Sequence, residues 1–307
     1  MRHQQLNQAD AFALLRAASM QANRRVGEVS RAVIEAAQAA DAVNRAGQMR
    51  MLSQRCIRAL ALRASAGAGA GTGHRARPDD GLAETLLRLQ ANLDHLASLP
   101  SNGPLAQQMA DTTTAWLALK QVADPGAAGR APAGKDHPMT ASALSAAALH
   151  QADALAEALL LPADGLTAAL QAASGRRSLH VVNLCGRQRM LAQRLAKQAL
   201  LANVLPEPQA AAQAAEAAEA AEASLTVRDF EATKAALEQA PLASDTIRAA
   251  LAQARGQWQR LLAGLRRTAG PNAAAGRAVL ARESDALLAT FEELTSLYEH
   301  SMQVLMG

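Results

Sequence analysis

The chain reads VNRAGQMRMLSQRCIRALAL at Val43–Leu62 and VNLCGRQRMLAQRLAKQALL at Val182–Leu201. Seven of twelve positions are identical between Asn44–Arg55 and Asn183–Arg194. This match, in the same order, indicates an internal duplication, and a duplicated segment is one structural unit used twice. The shared motif is N-x-x-G-x-x-R-M-L-x-Q-R, and the organisation of the chain follows from its two copies.

The composition predicts an all-α fold. Aromatic residues make up 2% of the 307 residues, and the residue types that favour strands are scarce. Alanine, leucine, glutamine, glutamate and arginine dominate, and these residues favour helices. At this length we expect two domains, each with its own hydrophobic core.

The order of the predicted helices repeats in the two halves. Each half has a motif-bearing helix, a leucine-rich or alanine-rich helix, a helix with one tryptophan and a helix with an Asp-Ala-Leu sequence. The two tryptophans are Trp116 and Trp258. Four antiparallel helices with short connections form a bundle. The sequence therefore predicts two tandem antiparallel four-helix bundles with long first helices.

The predicted boundary between the bundles is Leu161-Pro-Ala-Asp-Gly165, because proline disfavours helix at the residue before it and a glycine follows closely. This boundary divides the chain into residues 1–161 and residues 162–307. The fourth helix is then expected to end near Leu160, and the next to run from about Leu166 to Leu205. A continuous but kinked helix through the proline is the alternative.

The net charge and the hydropathy of the chain indicate whether it binds nucleic acid or enters a membrane. The formal net charge is +4 and no basic face is concentrated, so we do not expect nucleic-acid binding. The start of the chain has no apolar run of signal-peptide length, and no window approaches the ~20 apolar residues of a membrane span. We therefore expect a soluble, cytoplasmic protein. Cys56 and Cys185 fall at non-equivalent positions of the repeat, which favours two unpaired thiols over a disulfide or metal site.

At the α-helical period the motif forms two faces. One face carries the polar side chains and the glycine: Asn44, Gly47, Arg50, Met51, Gln54 and Arg58. The opposite face can turn toward the core of its own bundle: Ala46, Met49, Ser53, Cys56 and Leu60. The second copy has the same polar face: Asn183, Gly186, Arg189, Met190, Gln193 and Lys197. This face is predicted to be a second packing surface, directed outward from its own bundle.

The chemistry of that face indicates an anion site. A glycine inside a helix costs about 0.5–1 kcal/mol relative to alanine, and its use there is the close approach of another backbone. An arginine three residues later places a planar fork of donors beside that approach. Two such helices bring two guanidiniums around one small pocket, where the like charges repel unless an anion lies between them. Nitrate and nitrite suit such a pocket, as would a carboxylate or bicarbonate.

The motif also resembles two known signatures. The sequence NLCGRQRMLAQRLAK at Asn183–Lys197 is similar to the signature of the PilJ-type domain, the N-terminal domain of type IV pili methyl-accepting chemotaxis transducers. It also resembles the P-box of the NarX/NarQ nitrate/nitrite sensor kinases. Asn44–Arg55 is the second match, and the helices of Trp116 and Trp258 are similar to the PilJ pattern.

This resemblance implies a four-helix bundle in which the arginine after the glycine contacts nitrate or nitrite across a symmetric dimer of first helices. By position, the ligand-binding arginines would be Arg50 and Arg189. The residues that shape the pocket would be Asn44, Gly47, Met51, Asn183, Gly186 and Met190. Four further motif residues could contact the anion or only stabilise the bundles: Gln54, Arg55, Gln193 and Arg194.

The chain differs from those receptors in three respects. We expect no transmembrane helix and no kinase, HAMP or methyl-accepting output segment, and the chain carries two motif copies. A pseudo-dimer within one chain would then replace the homodimer, with both first helices running in the same direction. Pairing of the motifs between two chains is the alternative.

Together these features predict a nitrate- or nitrite-binding sensory protein that signals to a separate protein regulator through helix repacking. The resemblance suggests an antiterminator or response regulator of nitrate assimilation as that partner. We expect no catalysis, cofactor or metal, because the sequence has no recurring acid–base pair, nucleophile elbow, phosphate loop or ligand spacing. The alternative is a helical scaffold in which the motif only packs helices.

Overall fold

A computed structural model describes residues 8–68, 81–124, 145–175, 179–204, 225–240, 244–269 and 272–306. Within these ranges the chain is almost entirely helical and has no strand. This confirms the predicted all-α class. Residues 205–224, which include most of the alanine-rich stretch, lie outside the described residues.

The described ranges form eight α-helices, numbered here in chain order. The first half contains α1 (Gln8–Ala68), α2 (Leu82–Ala97), α3 (Gly103–Ala123) and α4 (Ala146–Ser174). The second half contains α5 (Leu179–Val204), α6 (Leu225–Glu238), α7 (Asp245–Arg266) and α8 (Ala273–Met306). A short 3-10 helix, Arg267–Ala269, follows α7.

Local sequence signals account for several helix ends. The hydroxyl of Ser145 accepts a hydrogen bond from the backbone N–H of Ala148 at the start of α4, and Ser244 caps α7 through Ile247 in the same way. Such caps satisfy donors that the first turn of a helix leaves unpaired. Proline in the first turn of α3 lacks an N–H that would have been unpaired there.

The motif helices α1 and α5 lie at the centre of the packing. α1 packs against α2, α4 and α5, whereas α5 packs against α1, α6 and α8. α3 covers α4, and α7 covers α8. Most of the buried apolar side chains form one continuous cluster. The residues predicted for the inner face of α1 are all buried: Ala46, Met49, Ser53, Cys56 and Leu60.

The predicted chain break at residues 161–165 is wrong. α4 continues as a helix through Pro162 and Gly165 to Ser174, so the alternative of a continuous helix describes this segment. The buried positions keep a spacing of three and four residues across the proline: Leu149, Ala152, Ala156, Leu159, Ala163 and Leu166. Burial of this stripe stabilises the helix in spite of the local helix-breaking residues.

Gly165 has a packing role instead of a turn role. An added Cβ at this position would overlap the side-chain amide of Gln108 in α3, so the glycine leaves room for this side chain between the two helices. The chain turns after Ser174, where Gly175 has a positive φ of 63° and ends the helix. The second motif helix therefore begins at Leu179 and not near Leu166. The division into domains at residues 161 and 162 stays a prediction, and α4 spans it.

In the described ranges, no helix combines the length and the apolar character needed to cross a bilayer.

The continuity of α4 can be tested by replacing its internal proline. Pro162→Ala restores an N–H that can bond to the carbonyl of Ala158, and we expect the free energy of unfolding to rise by up to about 3 kcal/mol. Urea denaturation followed by circular dichroism measures this change. Pro104→Ala in the first turn of α3 is the control, with no expected gain. A loss of stability in the Pro162 variant would contradict a helix through this position.

Candidate functional site

The two motif copies lie against one another within one chain. α1 and α5 are in direct contact, and four apolar residues form a small cluster of their own: Ala40, Val43, Leu179 and Val182. In each helix these residues precede the motif glycine by one and two turns. Equivalent residues therefore pair at the same level, so the two helices run in the same direction, as predicted for a pseudo-dimer. The predicted cause, a reversal at the proline of α4, is wrong, because α4 continues through the proline and ends at Gly175.

The glycines mark the closest approach of the two helices. An ideal Cβ on Gly47 would lie 3.8 Å from the Cα of Gly186, and one on Gly186 would lie 3.7 Å from the Cα of Gly47. Each backbone thus occupies the space beside the other that a larger side chain would fill. The interior glycines therefore lie in the helix contact, as predicted, and a Cβ at either position would be in ordinary van der Waals contact with the opposite backbone.

The guanidinium groups of both motif arginines lie at this contact between α1 and α5. The Cβ position built on Gly186 lies 3.2 Å from Nη2 of Arg50 and 3.6 Å from Nη2 of Arg189. Two positively charged groups therefore approach one point between the helices. Both side chains are buried, with 2% of Arg50 and 1% of Arg189 exposed.

Each arginine crosses to the asparagine of the other copy. Nη2 of Arg50 donates to Oδ1 of Asn183 at 2.8 Å, and Nη2 of Arg189 donates to Oδ1 of Asn44 at 2.6 Å. The exchange is reciprocal, as expected for two equivalent helices related by an approximate two-fold axis. The amide of Asn183 also donates to Gln171 of α4 at 3.1 Å, which orients its oxygen toward the guanidinium.

The two arginines differ in their acidic partners. Nη1 of Arg50 forms an ion pair with Asp164 of α4. Arg189 forms no ion pair with a carboxylate among the described residues, and its Nε and Nη1 have no hydrogen-bond partner there. Nε of Arg50 is unpaired as well. A buried charge of this kind is costly unless it is paired and hydrogen-bonded.

Burial lowers the pKa of both guanidiniums, because loss of water disfavours the charged form. Asp164 opposes this effect at Arg50, whereas the charge of Arg50 lowers the pKa of Arg189 further. Arginine nevertheless stays protonated in proteins, since its ordinary pKa lies far above neutral pH. The contact between α1 and α5 therefore holds two full positive charges.

Nearby acidic groups do not neutralise Arg189. Burial raises the pKa of the Cys185 thiol to about 12, so this neighbour stays uncharged at neutral pH. Glu292 and Glu299 attract Arg189 through space, without a hydrogen bond to it. Glu292 also lies 3.6 Å from Arg88, and burial raises the pKa of Glu299. Among the described residues, Arg189 is thus attracted by carboxylates but hydrogen-bonded to none of them.

A second layer of charges ties the two halves together. Arg58 of α1 donates to Asp285 of α8 at 2.7 Å, which joins the first motif helix to the last helix. At the equivalent position of α5, Lys197 donates to Asp153 and Glu157 of α4 at 2.6 and 2.5 Å. Each cation is buried and pairs with the opposite half of the chain. This exchange repeats the Arg–Asn exchange farther along the helices.

The other predicted site residues serve packing. Met51 and Met190 are buried in the hydrophobic cluster. Gln193 donates to the backbone carbonyl of Ser284 at 3.0 Å, and Arg194 forms an ion pair with Glu157 at 2.7 Å. Gln54 makes a longer contact of 3.4 Å with the carbonyl of Ala156. The amides and Arg194 thus stabilise contacts between helices, and no described contact brings them to the guanidiniums.

The tryptophans occupy similar positions in the two halves, as part of the core. Both are fully buried. Nε1 of Trp116 donates to Gln90 of α2 at 3.1 Å, and Nε1 of Trp258 donates to Glu231 of α6 at 2.6 Å. Phe230 stacks on Trp258 with 3.6 Å between ring centroids. The equivalent bonds from the Trp helix to the second helix support the internal duplication.

Sequence reasoning missed Asp164. It lies in the segment interpreted as a break, so its helix position was not considered. Asp153 and Asp285 are the aspartates of the Asp-Ala-Leu sequence that recurs in the last helix of each half. Their role could have been predicted from the cations at equivalent positions of the two motif copies, Arg58 and Lys197. Lys197 pairs with Asp153, and Arg58 pairs with Asp285.

Comparison with known protein families places a PilJ domain in the second half. Residues 170–291 match the family described as type IV pili methyl-accepting chemotaxis transducer N-term. The match includes the second motif copy with Arg189 and the helix of Trp258. These residues therefore carry a PilJ domain, which is a signalling domain of the chemotaxis-transducer type. No curated protein and no solved structure matches the chain.

The first motif copy lies outside the matched residues, which cover less than half of the chain. A second PilJ domain and a relation to the NarX/NarQ P-box stay predictions. The structural observations that bear on them are the paired glycines and the reciprocal Arg–Asn bonds.

A larger side chain at the helix crossing tests the importance of this contact. We expect Gly186→Val to reduce the free energy of unfolding by about 1–3 kcal/mol, as overpacking typically does, because the side chain meets Arg50 and the backbone at Gly47. Gly27→Val in α1 is the matched control, since an added Cβ there meets nothing within 4 Å. Chemical denaturation compares the two variants. Equal effects would show that the glycine pair is not a close contact.

Proposed function

We propose that the chain is a sensory protein that binds nitrate or nitrite between Arg50 and Arg189. The observation that carries the proposal is the state of Arg189: it is 1% exposed, its Nε and Nη1 have no hydrogen-bond partner among the described residues, and it lies beside a second guanidinium. A charge in this situation is destabilising by itself. A small anion between the two arginines would remove the repulsion and accept the unpaired donors.

The confined crossing favours a small, planar ligand. The glycines hold the helices close together, so the space beside the guanidiniums is limited. Nitrate and nitrite spread one negative charge over oxygens in a plane and can accept hydrogen bonds from both arginines. Bicarbonate and small carboxylates have similar chemistry, and chloride has no comparable geometry. Selectivity among them is a question for titration.

Signalling would proceed through helix repacking. The two arginines lie on the helices that join the two halves, and their bonds to Asn44 and Asn183 cross the interface. An anion that binds one packing of α1 and α5 more tightly than another shifts the equilibrium between them by that difference in affinity. Small helix shifts at such an interface are a known way to transmit a signal.

The PilJ domain at residues 170–291 supports a signalling role. We propose that each half forms a four-helix bundle and that the pair replaces the receptor homodimer within one chain. The change in packing would be read by a separate regulator, for which the resemblance suggests an antiterminator or response regulator of nitrate assimilation. Its location in the cytoplasm stays a prediction.

A helical scaffold is the second candidate, and one observation favours it. Arg50 already bonds to Asp164 and Asn183, so part of the motif holds the helices together without a ligand. In that case Arg189 would serve the same purpose through Asn44 alone. The two candidates differ in what the loss of Arg189 does to stability.

Arg189→Met separates the two candidates. If Arg189 serves anion binding, the variant without anion should be as stable as the natural protein or about 1–4 kcal/mol more stable, as is often found when buried ionic groups are replaced by apolar ones. It should also lose the stabilisation by nitrate. Thermal denaturation with nitrate, nitrite, chloride and bicarbonate measures both effects.

Arg58→Met is the control, because Arg58 is also a buried arginine of α1 but faces Asp285. Its variant should retain the response to nitrate. The scaffold candidate predicts the opposite pattern: loss of stability in Arg189→Met and no selective response to nitrate in the natural protein.

A further inference from the structure

The first part of α1 is exposed, although the rest of the helix lies in the core. α1 begins at Gln8, and Ala36 is its first buried residue among the described side chains. Between Arg16 and Glu35 every described side chain except that of Val33 is exposed. Residues 8–35, called the α1 extension below, are about 40 Å long at 1.5 Å per residue. Helices in proteins gain most of their stability from packing of one face, so the α1 extension calls for a partner.

One stripe of the α1 extension continues the contact between α1 and α5. In that contact Ala40 and Val43 pack with Leu179 and Val182. The same alternating spacing of three and four residues continues toward the start of the helix through small and apolar residues: Ala36, Val33, Val29, Val26, Ala22, Ser19, Leu15 and Phe12. Val26 on this stripe is 65% exposed. Apolar residues at this spacing are the pattern of a coiled coil.

The helix that covers this stripe farther along α1 does not cover the α1 extension. α5 begins at Leu179, which is equivalent to Ala40 in the repeat. The residues before it, which would correspond to the α1 extension, belong to α4 and to the turn after it. α1 thus packs against its own duplicate from Ala40 onward, and the α1 extension has no such duplicate in the same chain. A helix with the matching stripe is present in a second copy of the chain.

We propose that the α1 extensions of two chains pair as an antiparallel coiled coil and form a homodimer. The direction follows from α5, which occupies the stripe at Ala40 and Val43. A second α1 that ran in the same direction would continue into the space of α5. A second α1 in the opposite direction has its start beside the start of α5, and the rest of its chain lies beyond Gln8.

The sequence matches this arrangement. Glu28, Arg31 and Glu35 are exposed and lie on the face opposite the stripe, so they do not enter the contact between the chains. An antiparallel alignment of the two stripes pairs larger residues toward the ends and small residues at the centre: Phe12 with Val29, Leu15 with Val26, and Ser19 with Ala22. Small residues at the centre bury little apolar area, so the dimer dissociates on dilution.

Sedimentation velocity over the micromolar range tests the dimer. The natural protein should change reversibly from monomer to dimer with rising concentration. Val26→Lys should raise the Kd of the dimer at least about tenfold, because it places a charge in an apolar contact. Ile34→Lys is the matched control, since Ile34 is 56% exposed on the same helix but lies off the stripe, and its Kd should not change. Both side chains are exposed, so the melting temperature of a dilute sample should stay the same in both variants.

The direction of pairing is tested with a spin label on Ser30→Cys, since Ser30 is exposed and the natural Cys56 and Cys185 are buried. In the antiparallel dimer residue 30 lies opposite residue 11, so two labels should be about 30 Å apart along the helices in electron–electron resonance. Labels side by side would overturn the antiparallel pairing.

A monomer at every concentration, or equal effects of Val26→Lys and Ile34→Lys, would overturn the dimer itself. This result is separate from anion binding, because each chain keeps its own Arg50 and Arg189. The number of nitrates bound per chain is therefore the same in monomer and dimer, and Arg189→Met should dimerise as the natural protein does.

Discussion

The arrangement of the charged groups in this structure depends on the contact between Gly47 and Gly186. Two helices that approach this closely bring the arginines of both copies to one buried point. Like charges in a poorly solvated place repel strongly. Neighbouring side chains partly offset this repulsion. Each guanidinium donates one hydrogen bond to an asparagine of the other helix, and Asp164 supplies one opposite charge. Among the described residues Arg189 is hydrogen-bonded to no carboxylate, and the proposed anion would accept hydrogen bonds from its unpaired nitrogens.

The same interface explains how a small site could influence the whole chain. Side chains of α1 and α5 bond to the opposite half of the chain at two positions along these helices. The first position has the Arg–Asn hydrogen bonds, and the second has the ion pairs of Arg58 and Lys197. A shift of one motif helix therefore changes contacts in both halves. Since protein interiors are closely packed, such a shift favours a second discrete packing over a gradual deformation.

Sequence reasoning predicted the features that depend on residue type and helical period. The all-α class, the buried inner face of α1, and the meeting of Gly47 with Gly186 follow from these patterns. It was wrong about α4, because Pro162 and Gly165 were interpreted through their local preference for turns. Burial of the apolar stripe outweighs that preference. Asp164 was missed for the same reason: its approach to Arg50 depends on a helix that the local signals predicted to end.

The number of anions bound per chain tests the central claim most directly. Two motif copies that build one shared pocket should bind one nitrate per chain, with an affinity independent of protein concentration. Equilibrium dialysis over a range of protein concentrations, with chain mass measured by light scattering, gives this number. One nitrate per monomeric chain is the result we predict. Two nitrates per chain, one nitrate per pair of chains, or no binding would contradict a pocket formed by Arg50 and Arg189 of the same chain.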